Sequence, residues 1–439
     1  MLDARSDSPK SGAPQFDAPS SGPQRSGGPE DGASGPRSGP PWYIAKSAAK
    51  SNWRRVRFQR RQRSSGWLVG AAREHAGLSR DARGDLDGWV RPLRPARCRW
   101  RAADQVGVHA EANEAGEHSA HYSGLERCAS VWACPVCAGV IRATRADEIE
   151  RAALRAQDES MGLLFLTLTL RHKSEDGLST SLDLLLEAWR SVTSWRAWKT
   201  LAARLGYVGA IRSTEITYGG NGWHPHSHFL VLFERPLSAA DVASFEAEVY
   251  ALWVKAVQKK GGRQPSRERG VNVRIVGDDG KVLAQYLGKV QEKTGERRAT
   301  VGAEIARGDL KRSRGESLAP FELLDAEGEG AERARSLWIE FVTATRGRRA
   351  FTWSRGLRDT LLPGEEEKTD DEVIEDAEAL EPIAVIEADT YDRKFRNNPD
   401  RLAETLELAE AGEFERLAWY VKTAPKPSPG ARVTFDRSG

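Results

Sequence analysis

The sequence predicts an α+β fold organised on an antiparallel hairpin, and three observations point there. Residues 163–172 alternate Leu with Thr, the pattern of a half-buried strand. Residues 207–217 and 223–233 are β-rich runs joined by Tyr218-Gly219-Gly220-Asn221-Gly222, a strong hairpin signal. Around these strands, residues 178–205 and 238–259 carry apolar positions at helical spacing.

Length and composition set the frame. The chain has 439 residues, enough for two or three domains. Charged residues make up 29% and hydrophobic residues 39%, which fits a soluble protein. No apolar run approaches ~18 residues, so no transmembrane helix is expected. The N-terminus lacks an apolar signal region, which predicts a cytoplasmic protein. Net charge is +3 but uneven. Residues 365–378 hold nine acids and one lysine, a net of −8, which leaves +11 on the rest. A basic body with an acidic segment suits a polyanionic partner.

Taken in order, residues 1–40 contain 22 Ser, Gly or Pro. Such a stretch buries too little apolar area to offset its ordering entropy, which predicts disorder. Arg54, Arg55, Arg57, Arg60, Arg61 and Arg63 follow, with Trp53 and Phe58 interleaved. That mixture suits phosphate contacts and base stacking. A disordered basic segment is therefore expected over 1–66.

Next come Cys98, Cys128, Cys134 and Cys137. Cys134-Pro135-Val136-Cys137 is a Cys-x-x-Cys knuckle, and four thiolates satisfy a closed tetrahedral zinc site. Cys98 is the outlying ligand, because 29 residues separate it from Cys128. His118 and His121 lie in that insert and offer replacements. A redox Cys-x-x-Cys would need a βαβ context that is missing. A zinc module is expected over 67–150, with a helix at 138–157 leading onward.

The 163–172 strand ends in Arg171 and His172. Ser238 with Asp241 starts the 238–259 helix as a capping box, and Gly261 and Gly262 end it. A strand at 271–276 precedes residues 281–293. As a helix, the latter places Leu283, Leu287 and Val290 on one stripe and Tyr286, Lys289 and Lys293 beside it. Residues 294–360 are basic and irregular, with Lys311, Arg312 and Arg314. An acidic linker and a helix at 399–422 occupy 361–439.

Chemistry centres on the hairpin. Three of the eight histidines, His224, His226 and His228, fall within five residues. In a strand, alternate side chains share a face, so His226 and His228 point together. Pro225 makes the strand's entry an edge or bend, and His224 can join them. Paired imidazoles form part of a divalent-metal site, and an added carboxylate makes it harder. The hairpin folds Glu215 back toward them as a third ligand.

Three elements in fixed order resemble the rolling-circle plasmid replication initiators of the HUH endonuclease superfamily. The single-tyrosine branch of actinobacterial and other Gram-positive plasmids is the most similar. Residues 165–172 resemble the first motif of that family, and 224–228 its metal motif. Tyr286-Leu287-Gly288-Lys289 resembles its nucleophile motif. The run from Cys128 to Cys137 is similar to a zinc element of the branch. In the family a hydrophobic residue separates the metal histidines. Here Ser227 lies between His226 and His228, so His224/His226 and His226/His228 both stand as the pair, the deeper one preferred. Some members carry a glutamate one turn before the tyrosine to activate water, where this chain has Val282.

The resemblance implies a five-stranded antiparallel sheet with flanking helices, a ferredoxin-like or RRM-like palm, over 151–360. It implies a nickase that uses Tyr286 as nucleophile, Lys289 as its neighbouring cation and Mg2+ or Mn2+ at the histidines. Structural Zn2+ would sit on the cysteines. The partner is plasmid origin DNA, single-stranded or hairpin at the nick, contacted by Arg171, His172 and the arginine clusters. No Gly-x-x-x-x-Gly-Lys-Ser/Thr motif occurs, so a host helicase would unwind, with host polymerase and single-strand-binding protein. An HUH transposase or relaxase, or a non-enzymatic zinc DNA-binding protein, are the alternatives.

Overall fold

A computed structural model describes residues 41–75, 94–112, 118–276, 317–375 and 381–425. The chain divides into Met1–Tyr43 and Ile44–Gly439, and the fold is that of the second unit. Helix α1 (Pro41–His75) leads to strands β1 (Gln105–Ala112) and β2 (His118–Tyr122) and helix α2 (Pro135–Asp158). Strand β3 (Gly162–Thr169), helices α3 (Leu178–Ser194) and α4 (Arg196–Leu205), and strands β4 (Tyr207–Gly219) and β5 (Gly222–Phe233) come next. Helix α5 (Ala239–Lys259), strand β6 (Val271–Ile275), helix α6 (Ala331–Thr345) and strand β7 (Phe351–Trp353) complete the middle of the chain. Strand β8 (Ala384–Glu387) and helices α7 (Pro399–Glu410) and α8 (Phe414–Thr423) close it.

The expected five-stranded antiparallel sheet is present, in the order β6-β3-β5-β4-β7. Alternation along its strands sorts two cores. Leu164, Leu166, Leu168, Phe229 and Val231 face helices α3, α4 and α5, where Val192, Trp198, Phe245 and Trp253 bury against them. Leu163, Phe165, Leu230 and Leu232 face the other way, onto Ile149, Ala152, Ala153 and Ala156 of α2. The apolar cover on that second face stops at Phe165. Beyond it the same face carries Thr167, Thr169 and the histidines.

Several expectations need correction. The 178–205 helix breaks at Trp195, whose extended backbone (φ −76°, ψ 147°) ends α3 and starts α4. The break lets Trp198, Leu201 and Leu205 turn into the core. The 399–422 helix breaks near Gly412, whose φ of +70° suits glycine and stops α7. The capping box at Ser238 and Asp241 forms as the sequence predicts.

The largest difference lies at the two ends of the unit. The disorder expected as far as residue 66 is not found over 41–66, because α1 is helical from Pro41. The C-terminal segment is no simple linker and tail. Strand β8 pairs with β1, which pairs with β2, in a second antiparallel sheet. Helices α7 and α8 join it, burying Val106, Val108, Tyr122, Ile386, Tyr391, Leu402 and Leu417 in one core. Phe58 of α1 enters the same core. Described residues between 106 and 125 and between 384 and 424 therefore share a core.

Candidate metal centres

The hairpin sets the first centre. Gly219 pairs with Gly222, which leaves Gly220-Asn221 as a two-residue turn, and Gly222 has a φ of +82°. A Cβ at Gly222 would also come within 2.9 Å of the Ser174 backbone. From this turn the register runs without a slip as far as Gly209. Glu215 lies opposite His226, Ser213 opposite His228, and Thr217 opposite His224. On the other flank, Thr169 of β3 lies opposite His226 and Thr167 opposite His228. All these side chains share one sheet face.

Glu215 Oε2 stands 3.1 Å from His228 Nε2 and 3.6 Å from His226 Nε2. One ligand atom from each residue lies within 4.8 Å of the others. Ligands about 2.1 Å from one ion stand roughly 3.0–3.5 Å apart in octahedral or tetrahedral geometry, so the donor set fits a divalent cation. The outer nitrogens support this. His226 Nδ1 lies 3.2 Å from the main-chain oxygen of His224. A carbonyl only accepts, so Nδ1 carries the hydrogen. That leaves Nε2 as the ring nitrogen facing the carboxylate, where a cation between them fits. His228 Nδ1 lies 3.1 Å from Thr167 Oγ1, whose hydroxyl can accept in the same way. Metal-bound imidazoles commonly donate their other N–H in this manner.

His224 stands apart from the group. Its ring packs on His172, with centroids 4.8 Å apart, and on His226 at 5.0 Å. Burial, then the neighbouring His226 and His172, push its pKa down to about 4. Burial also lowers His172. Arg171 is exposed and bridges through its backbone to Arg263.

The second centre holds four buried thiols. Cys98 Sγ lies 3.7 Å from Cys137 Sγ and 3.5 Å from Cys134 Sγ, and Cys128 Sγ lies 3.7 Å from Cys137 Sγ. Thiolates bound tetrahedrally at 2.3 Å stand about 3.8 Å apart, so these positions fit a closed four-sulfur site. Cys134 caps α2 with its sulfur, and Pro135 opens the helix. The long insert after Cys98 is the β1–β2 hairpin, a folded excursion that returns the chain to Cys128. Among the described residues His121 joins neither ligand group; it stacks on His109 with ring centroids 4.9 Å apart.

A wall joins the two centres. Trp132, between Cys128 and Cys134, packs under the Arg142 guanidinium at 5.4 Å, and Phe351 lies 5.5 Å from the same group. Arg142 and Glu215 line one small cavity with Trp132, Phe321 and Phe341.

The arginines of α1 have partners inside the protein. Arg54 forms a bidentate pair with Glu410, at 3.0 and 2.6 Å. Arg55 meets Glu407 at 2.9 Å, and Arg60 meets Asp325 at 2.9 and 2.5 Å. Arg61 is buried and donates to the carbonyls of Cys98 and Arg396. Arg63 donates to those of Leu324 and Ala326. The guanidinium of Arg57 packs on Gly139 of α2. These side chains tie α1 to the thiol centre and to α7 rather than presenting a free cationic stripe. Tyr286, Lys289, Lys311, Arg312 and Arg314 lie outside the described residues.

Thr167 is the site residue that sequence reasoning missed. The Leu/Thr alternation marked it as facing away from the core, but its contact with His228 depends on the β3–β5 register.

An antiparallel sheet that brings two imidazoles and a carboxylate to one point, beside a separate four-thiol group, defines an α+β protein with two candidate metal centres. Comparison with known proteins narrows this. The profile of a family described as Replication protein matches residues 125–398, more than half of the chain. The chain belongs to the replication protein family. "Protein rep" of Streptomyces lividans is 35% identical over 308 residues, 56% of this chain and 66% of that relative. A Streptomyces cyanogenus protein named "Neomycin resistance protein" is 33% identical over 134 residues, 25% of this chain and 31% of its own length. The chain thus spans just under two thirds of the first relative and about a third of the second. No solved structure matches it.

Proposed function

We propose that this protein initiates rolling-circle replication of a plasmid by nicking one strand at its double-strand origin. The observation that carries the proposal is the Glu215–His226–His228 group, on an antiparallel sheet within the span matched by the replication protein family. Mg2+ or Mn2+ held there would polarise the scissile phosphate and offset charge on the departing 3′-oxygen. His226 and His228 present Nε2, with the His224 carbonyl and the Thr167 hydroxyl orienting their rings. Glu215 supplies the harder oxygen ligand.

Tyr286 is the proposed nucleophile. Its Oη attacks phosphorus and loses its proton, the P–O3′ bond breaks, and the 3′-oxygen takes up a proton. The products are a 5′-phosphotyrosine and a 3′-OH primer. A phenol has a pKa near ~10, and the Lys289 cation favours its ionised form. Reversal of the step would rejoin strands at termination without ATP. The described tyrosines support the assignment by their other engagements. Tyr250 donates to the Pro265 carbonyl, Tyr391 to that of Arg99 and Tyr420 to Glu404. Tyr122 donates to the Leu402 carbonyl, and Tyr207 and Tyr218 contact Ser354 and Arg333.

The four-thiol centre would hold structural Zn2+. Origin DNA is the partner, single-stranded or hairpin at the nick, in the cytoplasm, with host helicase, polymerase and single-strand-binding protein. Among the described residues no helix is long and apolar enough to cross a membrane. The test is nicking of a supercoiled plasmid carrying the cognate origin, with adduct mapping. A 5′-phosphotyrosine on Tyr286 is expected; full nicking by Tyr286→Phe refutes the mechanism.

A further inference from the structure

Arg190, Arg212 and Arg348 lie where α3 approaches the β7 edge of the five-stranded sheet, and Arg346 and Arg349 flank Arg348 in the turn that leads into β7. Arg212 of β4 pairs with Thr352 of β7 and Phe229 of β5. Alternation turns it to the helix side, away from Ser213 and Glu215. Trp189 of α3 packs on Phe229 with ring centroids 4.6 Å apart, which brings its neighbour Arg190 to the same place. The turn between α6 and β7 arrives from the other side. Its Arg348 donates to Asp183 of α3 at 2.7 Å, and Ala350 O accepts from Thr214 N at 2.9 Å. Arg190, Arg346 and Arg349 are exposed.

The local charge is not balanced. Asp183 is engaged by Arg348, and Glu187 by Lys260 at 2.8 Å. Among the described residues, Arg190, Arg212, Arg346 and Arg349 have no ion pair. Among the described residues, Arg212 Nε and Thr214 Oγ1 are buried without a hydrogen-bond partner, two residues apart on one face of β4. Thr214 is only 2% exposed. Burial, then the Arg190 charge, push the Arg212 guanidinium down to about 10. Clustered cations with an unsatisfied buried donor cost free energy that an oxyanion recovers.

Among the described residues, the aromatic side chain beside these arginines bears on the kind of oxyanion. Single strands are held by bases stacked on open aromatic faces. Here Trp189 is already packed on Phe229 and Trp198. Duplex phosphates need only spaced cations. We propose that Arg190, Arg212, Arg346, Arg348 and Arg349 form a docking surface for the backbone of duplex DNA. It lies on the sheet face away from the metal group and reaches round the β7 edge. The inference rests on the reading of this chain as an origin-binding protein, but not on nicking.

The test is duplex binding across a salt series by fluorescence anisotropy. It uses the exposed triple variant Arg190→Gln/Arg346→Gln/Arg349→Gln of the full chain. Each lost phosphate contact lowers the slope of log K against log salt by about 0.9. A fall of about 1 to 3 is expected. A control triple, Arg155→Gln/Arg393→Gln/Arg416→Gln, removes exposed arginines elsewhere and should leave the slope unchanged. An unchanged slope in the first triple, an equal fall in both, or no duplex binding by the unaltered protein each overturns the surface. Absence of nicking by the unaltered protein would instead sink the nickase reading, since the slope is read without chemistry.

Discussion

The two candidate metal centres contrast in how they are enclosed. All four thiols are buried, Cys134 and Cys137 at the start of α2, and they belong to a core that includes Trp338 and Phe341. The Glu215–His226–His228 group lies where the apolar cover of a sheet face ends, and two of its three residues are only half-buried. A closed four-sulfur set leaves an ion no free position, whereas two imidazoles and one carboxylate leave positions for water or a phosphate oxygen. The first arrangement suits holding chain segments together, and the second suits chemistry. The contrast has measurable consequences.

The largest effect is expected at the thiols. Structural zinc contributes on the order of 10 kcal/mol or more to folding of small modules, as much as a whole domain's stability. Cys134→Ser/Cys137→Ser should lose one metal ion per chain and much of its helical circular dichroism. Wild-type thermal stability with unchanged metal content would place this centre on the same footing as the open one.

Smaller in stability but decisive in chemistry are His226→Ala and His228→Ala. Each removes one imidazole from a half-open face, with an expected cost to folding of about 2 kcal/mol or less. Loss of phosphate polarisation should lower the nicking rate on the order of 10^3-fold, several kcal/mol of barrier. Origin binding should persist. Loss of fold in either variant would erase the contrast with the cysteines.

How much of this was legible in the sequence differs between the centres. Gly219, Gly220, Asn221 and Gly222 announced the hairpin, and a two-residue period then placed Glu215 near His226 and His228. Cys98 was ambiguous because the hairpin that returns the chain to Cys128 is visible only as a folded excursion. The arginines of α1 were illegible for a different reason. Their partners Asp325, Glu407 and Glu410 lie more than 260 residues away, so a basic run reads as a nucleic-acid surface until the ends of the chain are brought together. The scattered arginines at the β7 edge show the converse, since no local window contains them all.

Thr167→Val sharpens the distinction within the open centre. It keeps the shape of the side chain and removes the acceptor 3.1 Å from His228 Nδ1. Loss of such an outer partner typically weakens metal affinity 10–100-fold. Titration of the purified protein with Mn2+ reads this directly. Thr167→Ser should restore most of the affinity, which a purely packing role would not do.

The smallest effect is expected at His224, and it separates the two possible histidine pairs. His224 is the neighbour of the group along β5, yet it offers no ligand atom to it. Its ring lies 5.0 Å from that of His226, centroid to centroid, but the hydrogen bond to His226 runs through its main-chain oxygen, which accepts from Nδ1 at 3.2 Å. That oxygen survives any substitution that preserves the strand, and the Thr217–His224 pairing anchors the strand there. The imidazole itself packs on His172. His224→Ala should therefore keep nicking and Mn2+ affinity within about threefold, a loss of under 1 kcal/mol. A loss as deep as that of His228→Ala would move the metal pair to His224 and His226, and would make the Glu215–His228 contact a feature of packing alone.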